Sequence, residues 1–390
     1  MKILIAVPDT EVGGVNTAAI NLSNELSSRG HTVYFLNMPG NNKCIDRLNE
    51  NVNRVCFSGK SRLWNIGVES VRQARGLKKL GIIALGAIKK LTIRSGLWYK
   101  IIFSRFKDYG TFDVAVAFRQ CAPCYSFVLN KVNAKRKMGF VHGELTYMGD
   151  ISSWKKYMTR FDKIAYVSNA VKDQFVAKYP ELEKNACTVY NMFNVDQIKN
   201  LAEDECDLVF DENNVNIVTV ARIDNAFKQT QWIVEICKRL KNETDKPFHW
   251  YVVGDGPDMY ETIALSKKRG TDDVLTFVGN KSNPYVYIKQ SDFTVLTSRS
   301  ESYGMVIVES FILGKPVVVA EYPALMEIMT DSEHGLIAKQ NVDSMFGCVA
   351  SMMGNHNDIR TRCERLLEEI EISNDLSYQQ FLCAVSKKMA

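Results

Sequence analysis

Two doubly wound α/β domains are what this sequence predicts, and three observations carry that expectation. The chain has 390 residues, and a single hydrophobic core stops growing beyond roughly 250–300 residues. Short apolar runs alternate with segments of helical spacing in both halves, which is the pattern of a parallel sheet covered by helices. The halves also differ in charge. Residues 1–195 hold 29 Lys and Arg against 14 Asp and Glu, a balance of +15; residues 196–390 hold 20 against 30, a balance of −10, and the two sum to +5. Halves of opposite sign predict different tasks. With 46% hydrophobic and 24% charged residues, the composition is that of a globular enzyme and excludes a largely disordered, collagen-like or fully membrane-spanning chain.

The elements follow in order. Ile3–Val7 reads as a buried parallel strand, and a turn with Gly13-Gly14 follows it. Thr17–Arg29 has helical spacing through Ala18, Ile20, Leu22 and Leu26, and Gly30 signals its end. Thr32–Asn37 completes a β-loop-α-β unit, and further strands are expected at Val114–Phe118, Lys137–Val141 and Lys163–Val167. In the second half strands are expected at Asn216–Val220, His249–Val253, Leu275–Val278, Thr294–Leu296 and Pro316–Ala320. Helices include Gln231–Lys241 and Tyr260–Arg269. The expected division is residues 1–195 and 196–371, with a C-terminal helix from about residue 372 to 390 packing back on the first domain.

Ten scattered cysteines, with Cys121-Ala-Pro-Cys124 as the one CxxC, read as reduced thiols in a cytoplasmic protein rather than as a zinc site, because no second ligand pair exists. No secretory signal is expected: Ile3–Val7 is too short for an h-region and stops at Pro8. Residues 60–107 stand apart, with 12 Lys and Arg against Glu69 alone, interleaved with Trp64, Trp98, Tyr99, Phe103 and Phe106. Apolar faces with basic residues and interfacial aromatics predict peripheral contact with an anionic membrane surface, at the inner face of the plasma membrane. A solvated basic face on ordinary domain helices is the competing reading; a nucleic-acid partner is not expected.

The densest chemical signal is Thr297-Ser298-Arg299-Ser300-Glu301-Ser302-Tyr303-Gly304-Met305, leading to Glu309. A strand ends near Leu296 and a helix starts about Gly304, so free backbone N–H groups stand at the carboxyl edge of the sheet, where a phosphate fits. Gly304 lets a ligand approach without a side chain in the way. Glu301 and Glu309 accept hydrogen bonds from hydroxyl-rich groups such as a ribose and a sugar. After the strand ending at Val220, Arg222 and Lys228 supply two cations for a diphosphate. The turns Gly254-Asp255-Gly256-Pro257 and Gly279-Asn280 fall at two more strand ends, the edge where open α/β folds bind ligands.

Taken in order, these residues resemble family 4 of the retaining glycosyltransferases, which have the GT-B fold of two Rossmann-like domains facing across a cleft. The match includes Gly13-Gly14, His142-Gly143, Val167-Ser168, Tyr190-Asn191, Arg222, Lys228, the GDGP turn, Gly279-Asn280 and the pair Glu301 and Glu309 in an E-x7-E element. Tyr303 stands where Phe is usual, and Asn191-Met192-Phe193-Asn194 where Asn-Gly-Val/Ile-Asp is common. The resemblance implies that Arg222 and Lys228 hold the donor diphosphate with Gly14 and the N–H groups of Gly304 and Met305. Glu309 would take the ribose hydroxyls, Glu301 and His142 the transferred sugar, and Val278 and Asn280 the base. It implies transfer of a sugar from a nucleotide-sugar, a UDP-sugar in the first place, to a hydroxyl of a glycan or lipid-linked oligosaccharide in surface polysaccharide synthesis. No further cofactor is implied. Aspartates spaced D-x-D are absent, so no divalent metal is expected and charge neutralisation falls to Arg222, Lys228 and the helix end. An epimerase or phosphorylase on the same fold, or a non-catalytic membrane-associated binding subunit, is the alternative.

Overall fold

The computed structural model describes residues 1–8, 13–37, 45–56, 76–92, 109–329, 334–363 and 367–386. Residues 60–75 and 93–107, with Trp64, Trp98, Tyr99, Phe103 and Phe106, lie outside the described residues. The chain divides into two compact units: residues 1–192 with 377–390, and residues 193–376.

In the first unit β1 (Lys2–Val7) carries five side chains with no solvent exposure, Ile3 to Val7. Burying a Val- or Ile-sized side chain contributes roughly 1.5–3 kcal/mol, so this run fixes the strand at the sheet centre. Helix α1 (Gly14–Ser28) follows and ends where Gly30 takes φ 82, the left-handed turn that stops a helix. Then come β2 (Thr32–Asn37), β3 (Asn53–Cys56), α2 (Leu77–Thr92), β4 (Phe112–Ala117), α3 (Ala122–Lys131), β5 (Ala134–Val141), α4 (Ser152–Met158), β6 (Lys163–Tyr166), α5 (Asn169–Lys178) and β7 (Ala186–Thr188). The parallel sheet runs β3-β2-β1-β4-β5-β6-β7. Its strand order reverses direction between β1 and β4.

The second unit begins with α6 (Val195–Ala202), followed by β8 (Val215–Val220), α7 (Gln231–Glu243), β9 (Phe248–Val253), α8 (Met259–Arg269), β10 (Leu275–Gly279), α9 (Tyr285–Gln290), β11 (Phe293–Leu296), α10 (Met305–Ile312), β12 (Val317–Ala320), β13 (Gly335–Ala338) and α11 (Val342–Cys363). The parallel sheet runs β10-β9-β8-β11-β12-β13. Here the switch point lies between β8 and β11, the crevice where doubly wound sheets take nucleotides. The last helix, α12 (Leu367–Val385), starts about five residues before the expected residue 372. Its first residues, Leu367-Glu368-Glu369-Ile370-Glu371, carry three acids that blur the apolar period. From Ser377 on it groups with the first unit: Arg29 stacks over the Tyr378 ring at 4.3 Å, and Gln380 Oε1 accepts from the Tyr190 N–H at 3.0 Å.

Among the described residues no helix is long and apolar enough to cross a membrane.

Candidate functional site

In the second unit four consecutive carboxyl ends line one sheet edge. β10 ends at Gly279, whose carbonyl accepts from the Gly254 N–H at 2.9 Å. Gly254 in turn lies against the segment that leaves β8: a Cβ there would sit 1.9 Å from the Ala221 carbonyl oxygen, and one on Gly256 would sit 2.1 Å from that of Ile223. Both glycines therefore exist to let two loop backbones touch. Gly254→Ala is expected to cost more than about 3 kcal/mol of stability, since neither atom belongs to a side chain that can move aside. A urea midpoint near that of the parent contradicts this.

The loop from 221 to 230 is held from within. Asp224 Oδ1 accepts from the N–H groups of Ala226 (3.1 Å) and Phe227 (3.3 Å), its carbonyl accepts from the Lys228 N–H (2.7 Å), and Asp258 Oδ2 accepts from the Asn225 N–H (2.6 Å). Gln229 takes φ 49 and is buried, a conformation that costs a side-chain-bearing residue energy. The next loop hooks on to it: the Thr297 hydroxyl donates to the Lys228 carbonyl at 2.6 Å, and the Arg299 N–H to the Phe227 carbonyl at 2.8 Å.

That hook brings together two of the residues singled out by sequence. Lys228 Nζ forms an ion pair with Glu301 Oε1, which also accepts from the Ser298 hydroxyl at 2.8 Å. The side chains of Lys228 and Glu301 are 22% and 18% exposed, so each remains reachable by a ligand. Arg222 is different. Its side chain is 67% exposed and stands 4.0 Å from Asp224 Oδ2, a loose contact that leaves the guanidinium at the solvent face of the same loop. Val278 is half-buried and Asn280 exposed, at the end of β10.

Gly304 caps α10 with φ 88 and ψ 53, and Met305 is the first helical residue. A Cβ on Gly304 would stand 2.2 Å from the Tyr322 hydroxyl. The first turn holds no acidic residue, so nothing there opposes an anion at the helix N-terminus. Glu309 lies one turn on, buried, and its Oε1 accepts from the Tyr285 hydroxyl of α9 at 3.1 Å. On the role the resemblance implies for Glu309, Tyr285→Phe is expected to raise the KM for donor severalfold while kcat changes little, because it loosens a contact made equally in ground and transition states. Steady-state kinetics with varied donor separates the two, and a fall in kcat alone contradicts it.

Sequence reasoning missed Tyr285 and Ser298. Tyr285 is 24 positions upstream of Glu309 on another helix, and no local spacing announces it. Ser298 is equally silent, because its bond to Glu301 closes only when the loop is folded. The two departures from the family pattern meet. Phe193 and Tyr303 stack with ring centroids 6.2 Å apart, and Asn194 caps α6 by accepting from the Gln197 N–H at 3.0 Å, the service an Asp gives.

In the first unit Gly13 caps α1 and Gly14 opens it, both exposed. His142 follows β5. Its ring lies 4.5 Å from that of Phe118 and 5.6 Å from that of Phe140, and the His142 backbone N–H donates to Gln120 Oε1 at 3.1 Å. Burial pushes the imidazole down to about 3, against a hydrogen bond to the Phe118 backbone. The ring is therefore neutral near pH 7, and its buried Nε2 has no hydrogen-bond partner. Such a ring offers a hydrogen bond rather than a proton. The unfolded chain takes up a proton at the ordinary value of 6.5 while the folded ring does not. The stability that the neutral ring retains above that value is lost as pH falls toward about 3. His142→Asn is expected to flatten that part of the urea-midpoint profile, and parallel profiles contradict it. Ser168 caps α5, accepting from the Val171 N–H at 3.2 Å.

Among the described residues no group of three or more His, Cys, Asp or Glu side chains is placed to hold a metal ion.

Residues 202–365 match the family model of the glycosyl transferases group 1. An uncharacterized glycosyltransferase of Methanocaldococcus jannaschii is 26% identical over 57% of this chain and 54% of its own length. The O-antigen biosynthesis glycosyltransferase WclY of Escherichia coli is 26% identical over 45% of this chain and 48% of its own. The chain thus spans about half the length of these curated relatives. Among solved structures, S. aureus TarM, crystallised with Fondaparinux, alpha-GlcNAc-glycerol and UDP, aligns with TM-score 0.72 and 11% identity over 99% of this chain and 100% of its own. Anabaena HepE in complex with UDP aligns with TM-score 0.66 and 13% identity over 98% and 100%. At that identity the likeness is one of fold, and the fold is GT-B.

Proposed function

From a second unit that carries a glycosyl transferases group 1 domain, we propose that the protein is a retaining glycosyltransferase. It moves a sugar from a UDP-sugar to a hydroxyl of a glycan or lipid-linked oligosaccharide during surface polysaccharide synthesis, in the cytoplasm. The observation that carries this reading is the meeting of Lys228 and Glu301 on adjacent loops, at the switch-point edge where Gly304 opens α10. The UDP in the TarM and HepE crystals supports the nucleotide, and the O-antigen relative supports the pathway class.

In this reading the diphosphate settles on the N–H groups of Gly304 and Met305. Lys228 and Arg222 neutralise it. Lys228 then exchanges part of its bond with Glu301 for phosphate oxygens. Glu301 is freed to accept from hydroxyls of the transferred sugar, while Ser298 keeps it oriented. Glu309, held by Tyr285, takes the ribose hydroxyls, and Val278 and Asn280 flank the base. The glycosidic carbon–oxygen bond to the diphosphate breaks through an oxocarbenium-like state. The acceptor oxygen attacks from the same face, and the departing phosphate oxygen takes its proton. Stabilising the charge that grows on the diphosphate is the largest protein contribution. No resident metal is needed for this cradle, since two cations and a helix end already face the charge.

NMR of the product's anomeric proton tests the stereochemistry. A UDP-α-sugar is expected to yield an α-linked product. A β-linked product overturns the retaining mechanism, and interconversion of free UDP-sugars without acceptor shows an epimerase instead.

A further inference from the structure

We propose that α2 docks the first unit onto an anionic lipid surface, with the helix lying in the plane of the headgroups. The helix has two apolar faces. Ile82 and Leu85 pack against the hydrophobic core cluster of the first unit, and on the same side partial burial lowers the Lys89 ammonium from its ordinary value. At about 3.6 residues per turn, Leu80, Ile83, Ala84, Ala87, Ile88 and Leu91 form the opposite face, and all six are exposed. Leu80 is 64% and Leu91 81% exposed.

This face is not ordinary surface scatter. Eleven large apolar side chains are exposed among the described residues, and four of them lie on this one helix; the rest come singly. Single exposed apolar residues need no explanation, whereas a contiguous patch marks an interaction surface.

Charge selects the occupant. The helix sequence holds four lysines and no acid, and exposed Lys79 and Lys90 sit together on one flank of the apolar face. A second copy docking on this face brings an equally basic helix. Anionic headgroups instead pair with the lysines while acyl chains receive the leucines and isoleucines. Sixteen residues at about 1.5 Å each fall short of the roughly 30 Å hydrocarbon core, so the helix lies on the bilayer rather than across it.

Co-sedimentation with sucrose-loaded vesicles tests this, using pure phosphatidylcholine and phosphatidylcholine containing about one-third phosphatidylglycerol. The full chain is expected to partition at least about tenfold more strongly to the anionic vesicles, and less at high salt. The pair Leu80→Ser and Leu91→Ser, and separately Lys79→Glu and Lys90→Glu, are each expected to lower that partition by about tenfold or more. Donor hydrolysis without acceptor stays unchanged in both, which shows that the fold and the nucleotide site are intact. Equal binding to the two vesicle types, no binding, or parental binding by the Leu80→Ser and Leu91→Ser pair overturns the proposal. So does light scattering that shows a dimer which this pair dissociates, because the face then belongs to a second copy.

Discussion

Lys228→Ala is expected to lower kcat by about 10²–10³, the usual effect of removing one donor aimed at developing charge. The cation stands on a loop fixed at Asp224, Asn225 and Thr297, so it is placed before substrate arrives. Diphosphate charge grows as the glycosidic bond breaks, so the interaction is worth more in the transition state than in the bound donor. The kcat term should therefore fall more than KM rises. Lys228→Arg keeps the charge but exchanges a point for a fork, and is expected to recover part of the rate. The alanine variant leaves Glu301 accepting from the Ser298 hydroxyl, at a site open enough to water to avoid a stranded buried charge. An unchanged thermal midpoint alongside the kinetic loss separates chemistry from folding. A rise in KM with kcat intact contradicts the assignment to the departing group.

Gly304→Ala is expected to damage both stability and nucleotide affinity. The residue sits at φ 88, where an L side chain costs roughly 1–2 kcal/mol. The added Cβ also meets the Tyr322 hydroxyl at 2.2 Å, and that hydroxyl donates to the Tyr303 carbonyl at 3.1 Å. Relief by moving Tyr322 gives up this bond, and relief by moving the backbone turns the first N–H groups of α10 away from the phosphate. UDP affinity is expected to fall by at least about tenfold. Adding Tyr322→Phe removes the oxygen at 2.2 Å but leaves the ring carbon at 3.3 Å and the left-handed backbone. Partial recovery of the thermal midpoint is therefore expected, without full recovery of binding. Calorimetric titration of UDP into the parent and both variants checks this. A parental midpoint in Gly304→Ala contradicts the strain account.

The sheets were legible because their central strands each contain a short, mostly apolar run bounded by turns. Thr32–Asn37 is read to the residue, and Ile3–Val7, Asn216–Val220 and His249–Val253 to within one. The strands that escaped, β3, β7 and β13, are three or four residues long and all lie at sheet margins. There only one neighbour demands pairing, and runs this short, even the apolar Gly335–Ala338, do not stand out from a loop. The helix at Gly304 was legible from its glycine and starts one residue later. The partners of the site residues were not. Tyr285, Ser298 and the clamp at Asp224 and Asp258 act through hydrogen bonds closed by tertiary structure, which leave no period to read. His142 was placed at a strand end correctly, but its loss of proton affinity arises from Phe118 and Phe140 packing on it, a fact of the folded unit alone.

The central claim is that the second unit's sheet edge holds a nucleoside diphosphate-sugar at Lys228, Glu301 and Glu309. Bound-state NMR across a panel of nucleotide-sugars, with donor hydrolysis scored in parallel, tests it most directly. The account predicts saturation transfer to the ribose and diphosphate-linked sugar of a UDP-sugar, slow release of UDP, and loss of both signals in Glu309→Ala. Absence of binding and hydrolysis over the whole panel, or signals in Glu309→Ala equal to those of the parent, would contradict it.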